Sequence, residues 1–300
     1  MSNIPAFTKI YNIGHKEVEN IFDGPVEVTE KIDGSQFCFG VIDGKLYIRS
    51  KGREIDEENQ DSMFSRACDH VRNLYENKKL PEGYVFFCER LNRPRHVRLK
   101  YDRVPKNNLI LFGTQINNGY CDNKLRFAEH LELIYYADRL DIELIPLIYK
   151  GDNITIAKLD ELIDRKSILG DVDIEGLVIK KYDGANSPIS AKYVSESFRE
   201  RKIIKLPIAE TRKEAIDEFI KTFRSEARWE KAVQHLRDDS RLENSQKDIG
   251  KLAKEINIDL LEEEESTIKE FFYKMYKKDF TKYALLGFAD WYLNRLSYEN

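Results

Sequence analysis

The stretch Glu30-Lys31-Ile32-Asp33-Gly34-Ser35-Gln36 places a lysine between two runs that have the pattern of β-strands. Val26-Glu27-Val28-Thr29 alternates apolar and polar residues, and Phe37-Cys38-Phe39-Gly40-Val41 is apolar. Asp-Gly favours a tight turn, so Lys31 is predicted at the end of a strand beside a turn. A lysine attacks phosphorus only as the neutral amine, so a nucleophilic Lys31 needs a lowered pKa, through burial or neighbouring cations. By themselves, the turn preferences of Asp and Gly favour a solvated lysine at the end of a strand. Whether Lys31 is instead a nucleophile depends on the other motifs of the chain.

Composition limits the class of protein. The 300 residues suit one large and one smaller domain, and 41% hydrophobic residues are enough for a core. The formal net charge is −4, so a nucleic-acid partner would need a local basic surface. We expect no membrane span and no signal peptide, since no apolar run has the required length or position. The four cysteines show neither C-x-x-C pairing nor zinc spacing, which predicts reduced cysteines in a cytosolic protein.

A predicted hairpin brings a basic turn close to Lys31. Asp43-Gly44 separates the strands 36–42 and 45–48 and is a strong hairpin signal. The hairpin returns the chain towards Lys31 and places Ser50-Lys51-Gly52-Arg53 beside it. A glycine between two cations suits phosphate contacts, but a solvated basic turn explains the same residues equally well.

Later strands carry further charged residues. The apolar run 84–88 ends at Glu89, and burying an unpaired carboxylate there would be costly. The segment 173–180 contains Glu175, Gly176 and Lys180, and the strand 189–194 carries Lys192. On an ideal strand, Glu175 would share a face with residues 177 and 179, opposite Lys180, unless a bulge redirects it. The window 90–106 is rich in Lys and Arg and is predicted either to contact RNA or to form a solvated surface.

The chain changes character after Pro207. Apolar residues then recur at helical spacing, which predicts a bundle of about four or five helices. The acidic run 262–265 is interpreted as a solvated helix face or helix start. We therefore expect one domain over 1–205 and a helical domain over 206–300.

The ordered set of motifs resembles the covalent nucleotidyltransferase superfamily of ATP-dependent ligases and mRNA capping enzymes. Its members share a nucleophilic lysine motif (here 31–34), a basic motif (50–53), a strand ending in Glu (87–89), an aromatic strand (111–113), a Glu-Gly-x-x-x-Lys strand (175–180) and a final lysine strand (191–193). Within the superfamily, the chain is most similar to the RNA ligase 2-like, phage-type group. Glu30 before the nucleophile, the run Lys192…Phe198-Arg199-Glu200 and the helical tail support that group, whereas DNA ligases and capping enzymes usually continue into an OB-fold. Two features depart from the group: Val194 stands where a second lysine is common, and Ser-Lys-Gly-Arg replaces Ser-Arg-x-Gly.

The resemblance implies an α+β fold: an antiparallel-sheet adenylation domain followed by an all-helical domain. It implies an ATP-dependent RNA ligase that joins 3′-hydroxyl and 5′-phosphate ends through a lysyl-AMP adduct, with ATP and Mg²⁺ or Mn²⁺ as cofactors. The expected partner is RNA, no membrane is involved, and a monomer is assumed. A DNA ligase, a capping enzyme and a non-catalytic nucleic-acid-binding relative remain alternatives.

The same resemblance implies a role for each site residue. Lys31 would be the nucleophile, while Lys180 and Lys192 would bind the α-phosphate and lower the pKa of Lys31 by like-charge proximity. Lys51 or Arg53 would hold phosphate or ribose. The remaining nucleotide contacts would come from Glu89 (ribose), Phe112 (adenine stacking), Glu30 (adenine amino group), Ile32, Gly34 and Gln36. Glu175 would bind or orient the metal ion. The helical domain is expected to bind the RNA end.

Overall fold

The computed structural model describes residues 4–56, 63–95, 99–117, 125–182, 188–195 and 211–299. Within these ranges the chain forms eleven strands, in order β1 (Tyr11–Asn12), β2 (Val26–Lys31), β3 (Ser35–Ile42), β4 (Lys45–Ser50), β5 (Tyr84–Arg90), β6 (Leu109–Asn117), β7 (Leu125–Phe127), β8 (Glu143–Leu144), β9 (Leu147–Gly151), β10 (Gly176–Lys181) and β11 (Ile189–Val194). The α-helices are α1 (Ser65–Glu76), α2 (His130–Arg139), α3 (Ile156–Ile163), α4 (Arg212–Lys221), α5 (Glu226–Asp238), α6 (Asp248–Ala284) and α7 (Phe288–Glu299).

The first sheet has the strand order β1-β11-β10-β2-β9 and is antiparallel except for the edge pair β1 and β11. Strand alternation gives it two different faces. Val28, Leu177, Ile179 and Ala191 form one face and pack against residues of α3. Lys31, lying opposite Gly176 in the register of β2 and β10, belongs to the other face.

The second sheet has the order β4-β3-β5-β6-β7, and the short strand β8 pairs with β6 in parallel. Its two faces are both apolar. Phe37, Phe39 and Phe86 pack in one core with residues of α1, while Cys38 and Phe87 face the N-terminal segment on the opposite side. The chain passes from the first sheet to the second at residues 32–34, between β2 and β3, so the stretch 30–36 lies between the two sheets.

The helical part contains α4 to α7. Apolar residues recur at helical spacing in two separate runs, around residues 252–260 and 268–275, and both runs lie in one 37-residue helix, α6. The segment 251–284 contains neither glycine nor proline, so nothing in its sequence interrupts the helix.

The α+β fold with antiparallel sheets followed by helices is confirmed. The predicted domain boundary at 205/206 and the run Phe198-Arg199-Glu200 lie outside the described residues. In the part of the chain that the structure describes, no helix is long and apolar enough to cross a membrane.

Candidate active site

A cavity of about 240 Å³ lies where the two sheets and α5 meet. All of the site residues predicted from the sequence, except Arg53, line this cavity. The predicted residues in the cavity wall are Glu30, Lys31, Ile32, Gly34, Gln36, Lys51, Glu89, Phe112, Glu175, Lys180 and Lys192.

Lys31 makes an ion pair with Glu175 inside the cavity. Its Nζ donates to both carboxylate oxygens of Glu175, each at 2.7 Å. Burial lowers the pKa of Lys31, but the charge and hydrogen bonds of Glu175, with the charges of Glu89 and Asp33, outweigh burial and raise it. The expectation that Lys180 and Lys192 lower the pKa of Lys31 is therefore wrong for this state, because the nearest charges are carboxylates. The amine is held as an ammonium ion.

Glu175 reaches Lys31 because it precedes the strand. Continuous alternation would have placed Glu175 on the core face with Leu177 and Ile179. Strand β10 begins only at Gly176, so Glu175 is outside the ladder and lines the cavity. A side chain at Gly176 would meet the carbonyl oxygen of Tyr193 at 2.4 Å, so glycine permits the close pairing of β10 with β11 at this point.

Glu89 is a half-buried carboxyl group with other carboxylates near it. Its pKa is raised to about 8, chiefly by removal from water and also by the charges of Glu175, Asp238 and Asp33, against the lowering effect of Lys31. Gly34 lies directly against it, since a Cβ there would come within 2.6 Å of the Cγ of Glu89. The turn glycine therefore has a packing role beside this carboxyl group.

Lys180 lies on the cavity face of β10 and is almost fully buried. Burial lowers its pKa to about 8, partly opposed by the charge of Glu27. Its Nζ donates to the carbonyl oxygen of Phe112 and lies 5.3 Å from the centroid of the Phe112 ring and 5.4 Å from that of Phe7. Phe112 is half-buried and its ring packs edge-on against Phe7 at 5.1 Å. A lysine and an aromatic side chain thus share one wall of the cavity.

Glu30 is directed away from Lys31. On β2 it shares the face of Val28, and its carboxylate accepts hydrogen bonds from Ser167 Oγ at 2.5 Å and from the backbone N–H of Ile168 at 3.1 Å. Burial raises its pKa, although both hydrogen bonds act in the opposite direction. The adenine contact assigned to Glu30 by resemblance stays a prediction.

Ile32 and Gln36 flank the turn between β2 and β3, and contacts with other segments fix both side chains. Ile32 packs in a small core with Leu91 and Tyr101. Gln36 Oε1 accepts a hydrogen bond from the backbone N–H of Phe7 at 3.2 Å. Both side chains position the backbone that carries Lys31.

Residues of the basic window 90–106 stabilise the turn that follows Lys31. Arg90 and Tyr101 are buried, and the Tyr101 hydroxyl accepts a hydrogen bond from the N–H of Asp33 at 2.8 Å. The Asp33 carboxylate in turn accepts from the N–H of Leu99 at 3.0 Å. These two members of the window are structural, while residues 96–98 lie outside the described part of the chain.

The basic turn 50–53 contacts the helical part. Lys51 Nζ lies 3.2 Å from Nε2 of His235 on α5, and Arg53 donates to Ser240 Oγ at 2.6 Å. Of the two, only Lys51 lines the cavity. The structure therefore favours Lys51 over Arg53 as the residue of this turn that can reach a ligand.

Lys192, on the cavity face of β11, pairs with an acidic residue of α6. Its Nζ lies 3.8 Å from Glu263 Oε1. Glu263 and Glu264 are both buried, so the interpretation of the run 262–265 as a solvated face is wrong for its two central residues. Tertiary packing of α6 against the sheets and α5 removes these two carboxylates from water, whereas Glu262 and Glu265 stay exposed.

Helix α5 contributes a cavity wall that sequence reasoning missed. Lys231, Gln234 and Asp238 line the cavity. Gln234 Nε2 donates to the carbonyl oxygen of Gly34, and Asp238 accepts from Ser35 Oγ at 2.7 Å. Burial raises the pKa of Asp238 to about 6. The sequence signal for this wall is a row of polar residues spaced by three and four positions along one helix face. The same pattern is common on helices that face solvent, so it does not by itself indicate a site.

Two carboxyl groups of the cavity wall could hold a divalent cation. Glu175 and Glu89 offer oxygen ligands, and the charge of Glu175 contributes to the raised pKa of Glu89, so the two groups lie close enough to interact. No cluster of three or more His, Cys, Asp or Glu arranged as a metal site occurs among the described residues. One or two carboxylates with several waters are typical of Mg²⁺ sites, so this donor set suits a largely hydrated ion.

Comparisons with known proteins agree with this geometry. The RNA ligase family profile matches residues 24–194, more than half of the chain and all of the strands from β2 to β11. No curated protein matches the sequence significantly. Among solved structures, Naegleria gruberi RNA ligase with pyrophosphate is similar, at 17% identity and a TM-score of 0.51.

Two further Naegleria structures are equally similar. A lysine-to-alanine variant with ATP and manganese and a lysine-to-methionine variant with AMP and manganese each match at 16% identity and a TM-score of 0.50. Each of the three matches covers 66% of this chain and 58% of the Naegleria chain, and identities this low show a common fold. Taken with the family match, the fold and the lysine cavity lead to one conclusion: the chain belongs to the RNA ligase family.

Proposed function

We propose that the protein is an ATP-dependent RNA ligase that joins RNA 3′-hydroxyl and 5′-phosphate ends. The observation that carries the proposal is the cavity in which Lys31 meets Glu89, Glu175, Lys180 and Lys192. Family membership supports RNA as the substrate. The Naegleria ligases of the same fold were solved with ATP, AMP and manganese, which supports ATP and a divalent cation as cofactors.

The first step is the attack of Lys31 on ATP. Neutral Lys31 Nζ forms a bond to the α-phosphorus, the bond to the leaving oxygen breaks, and pyrophosphate departs. Lys31 must first lose the proton that its pair with Glu175 stabilises. A divalent cation held at Glu175 would supply positive charge that neutralises this carboxylate and the charge developing on phosphate.

The other cavity residues bind and orient the nucleotide in this proposal. Lys180 and Lys192 would donate to the non-bridging oxygens of the α-phosphate, where negative charge develops. Phe112 would stack on adenine, and Glu89 would accept from a ribose hydroxyl. A pKa of about 8 leaves Glu89 largely protonated near neutral pH until a ligand or cation changes its surroundings.

AMP would then pass from Lys31 to the RNA 5′-phosphate, and a 3′-hydroxyl would displace it to form the phosphodiester bond. We assign the first two steps to a domain over 1–205 and the binding of the RNA end to a helical domain over 206–300. Support for the second assignment comes from α5, whose polar face forms part of the cavity wall.

Covalent labelling tests the proposal. Lys31→Ala is expected to abolish labelling by ATP carrying ³²P at the α-phosphate, because the proposal assigns the phosphoramidate bond to Lys31 Nζ. Lys158→Ala is the matched control, since Lys158 is a half-exposed lysine of α3 that pairs with Glu161. A label that persists in Lys31→Ala, with circular dichroism unchanged, would sink the assignment of the nucleophile. Sealing assays on nicked, single-stranded and RNA/DNA hybrid substrates would then define the acceptor.

A further inference from the structure

The turn that carries Lys51 packs against the C-terminal end of α5. A Cβ at Gly52 would come within 1.9 Å of Asp239 Oδ1, so the backbone of the turn lies directly against the helix end. Arg53 donates a hydrogen bond to Ser240 Oγ at 2.6 Å, just beyond the helix. The position of Lys51 therefore depends on the helical part of the chain.

His235 of α5 connects Lys51 to α6. Lys51 Nζ lies 3.2 Å from Nε2 of His235, and Nδ1 of the same ring lies 3.0 Å from Oε1 of Glu255 on α6. The side chains of His235 and Glu255 are each only 20% exposed. Lys51 and His235 both line the cavity that contains Lys31. A continuous chain of polar contacts thus joins the cavity wall to α6.

The Glu255 carboxylate determines which ring nitrogen of His235 carries the proton. An ionised carboxylate only accepts hydrogen bonds, so Nδ1 donates to Glu255 and Nε2 of the neutral ring keeps a lone pair. This lone pair accepts a hydrogen bond from Lys51 Nζ. A neutral acceptor orients the Lys51 ammonium group without cancelling its charge, which stays available to an anion in the cavity.

The ammonium group of Lys51 has other cations near it. Although the residue as a whole stays exposed, partial removal of this group from water, followed by the charges of Lys231, Lys192 and Lys9, lowers its pKa, whereas the charge of Asp259 raises it. Repulsion by these cations and the rotamer freedom of a long side chain both oppose a fixed position in the cavity. The hydrogen bond to His235 acts against both effects.

We propose that His235, oriented by Glu255, is a positioning residue that directs the Lys51 ammonium group towards the phosphate groups of ATP. This role rests on the proposed function, which supplies ATP as the ligand. His235 and Glu255 lie outside residues 24–194, so the family match assigns them no role. The attack on ATP then depends on the helical part as well as on the domain over 1–205.

Protonation of His235 gives the contact a recognisable pH dependence. A doubly protonated ring presents an N–H at Nε2 to the Lys51 ammonium group, so two donors face each other and the contact is lost. A free imidazole gains its second proton near about pH 6.5. The charged groups around the ring are Lys51 on the turn, Glu255 on α6 with Arg241 at 4.0 Å from it, and Lys231 and Asp239 one helical turn away along α5. The two carboxylates favour the protonated ring and the three cations oppose it.

The experiment measures labelling of Lys31 in the full-length protein at limiting concentrations of ATP carrying ³²P at the α-phosphate. His235→Leu removes the acceptor, so labelling is expected to fall about threefold to tenfold at about pH 7.5, as for the loss of one hydrogen bond. His235→Gln supplies an oxygen that accepts from Lys51 and an N–H that donates to Glu255. Its labelling is expected to stay within about twofold of wild type at this pH.

The ratio of labelling in His235→Gln to labelling in wild type isolates the ring from other titrating groups. Deprotonation of Lys31 and ionisation of Asp238, whose pKa is raised to about 6, occur in both proteins and cancel in the ratio. We expect the ratio to rise about threefold or more between about pH 7.5 and about pH 5.5, because glutamine gains no proton. Glu255→Gln removes a charge that favours the protonated ring, so its loss of labelling relative to His235→Gln should begin at a lower pH than in wild type.

His15→Gln and Glu265→Gln are the matched controls. The ring of His15 stacks on Tyr11 and does not line the cavity, and Glu265 is an exposed carboxylate of α6 that pairs with Lys269. Labelling of each control relative to wild type is expected to vary by less than about twofold across the pH range. Thermal unfolding identifies variants that fail to fold, and if His235→Leu is one of them, the pH series of His235→Gln decides alone.

A purely structural contact between α5 and the turn gives a different result. In that case the ratio of His235→Gln to wild type stays constant with pH, because the ring serves only to hold the helix. A constant ratio, or labelling of a folded His235→Leu equal to that of wild type, would overturn the positioning role.

The chemical reactivity of Lys51 separates the positioning role from the proposed function. Acetylation of Lys51 by acetic anhydride is measured by peptide mass spectrometry relative to Lys158. It is expected to rise about twofold or more in His235→Leu, because the amine loses its hydrogen bond. If wild-type Lys31 is not labelled but the reactivity of Lys51 rises, the proposed function is refuted and the contact of His235 with Lys51 stands. Unchanged reactivity in His235→Leu, or in His235→Ala where the first variant does not fold, would refute the positioning role whatever the labelling.

Discussion

Replacing Glu89 by glutamine is expected to stabilise the protein at alkaline pH and to abolish nucleotide transfer. Burial raises the pKa of Glu89 from 4.5 to about 8. Between these values the folded protein holds a proton that the unfolded chain has lost, so stability falls as pH rises across this window and is constant above it. The ionised carboxyl group therefore opposes folding above about pH 8, and a glutamine does not.

The magnitude follows from the same difference. At ~1.36 kcal/mol per pH unit, a rise from 4.5 to about 8 corresponds to an upper limit of about 5 kcal/mol. Water in the cavity reaches part of the Glu89 side chain, which reduces this figure. We expect the stability of Glu89→Gln relative to wild type to increase by about 2–4 kcal/mol between about pH 5 and about pH 8.5.

Urea unfolding followed by circular dichroism at the two pH values measures the change. Glu76→Gln is the matched control, because Glu76 is an exposed residue at the end of α1 and its substitution is expected to change stability by less than about 0.5 kcal/mol. The α-phosphate labelling assay on the same samples should show loss of activity, which a purely structural carboxyl group would not produce. A stability difference that stays constant between the two pH values would refute the reasoning.

Two further substitutions test packing. Gly34→Ala would place a Cβ within 2.6 Å of the Cγ of Glu89, so we expect labelling to fall at least about tenfold and stability by about 1–3 kcal/mol. Gly250→Ala in α6, where a Cβ meets nothing within 4 Å, should leave labelling unchanged. Equal labelling of the two variants would contradict this interpretation. Arg228→Met leaves two buried carboxylates without their shared guanidinium and should cost about 3–5 kcal/mol in urea unfolding, against about 0.5 kcal/mol for the exposed Arg212→Met. Equal losses in the two arginine variants would show that the buried pair contributes nothing.

Most of the fold was predictable from local pattern. Period-two alternation and the Asp43-Gly44 hairpin locate β2, β3 and β4. These features depend on neighbours a few residues apart, so they can be read from the chain. The length of α6 was not predicted, because the apolar spacing is interrupted between residues 260 and 268 although the helix continues through them.

The sequence by itself determined which residues are candidates for the chemistry: an ordered series of lysines, carboxylates and one aromatic residue, on strands whose alternation directs Lys31, Lys180 and Lys192 to one face. It could not determine their charge state. Only the tertiary structure brings Glu175 against Lys31 and raises the pKa of Lys31, and only packing of α5 and α6 brings Glu263 close to Lys192 and Lys231. The physical reason is that electrostatic energies depend on distances of a few ångströms and on exclusion of water. For residues far apart in the chain, tertiary packing sets both the distances between charges and the exclusion of water around them.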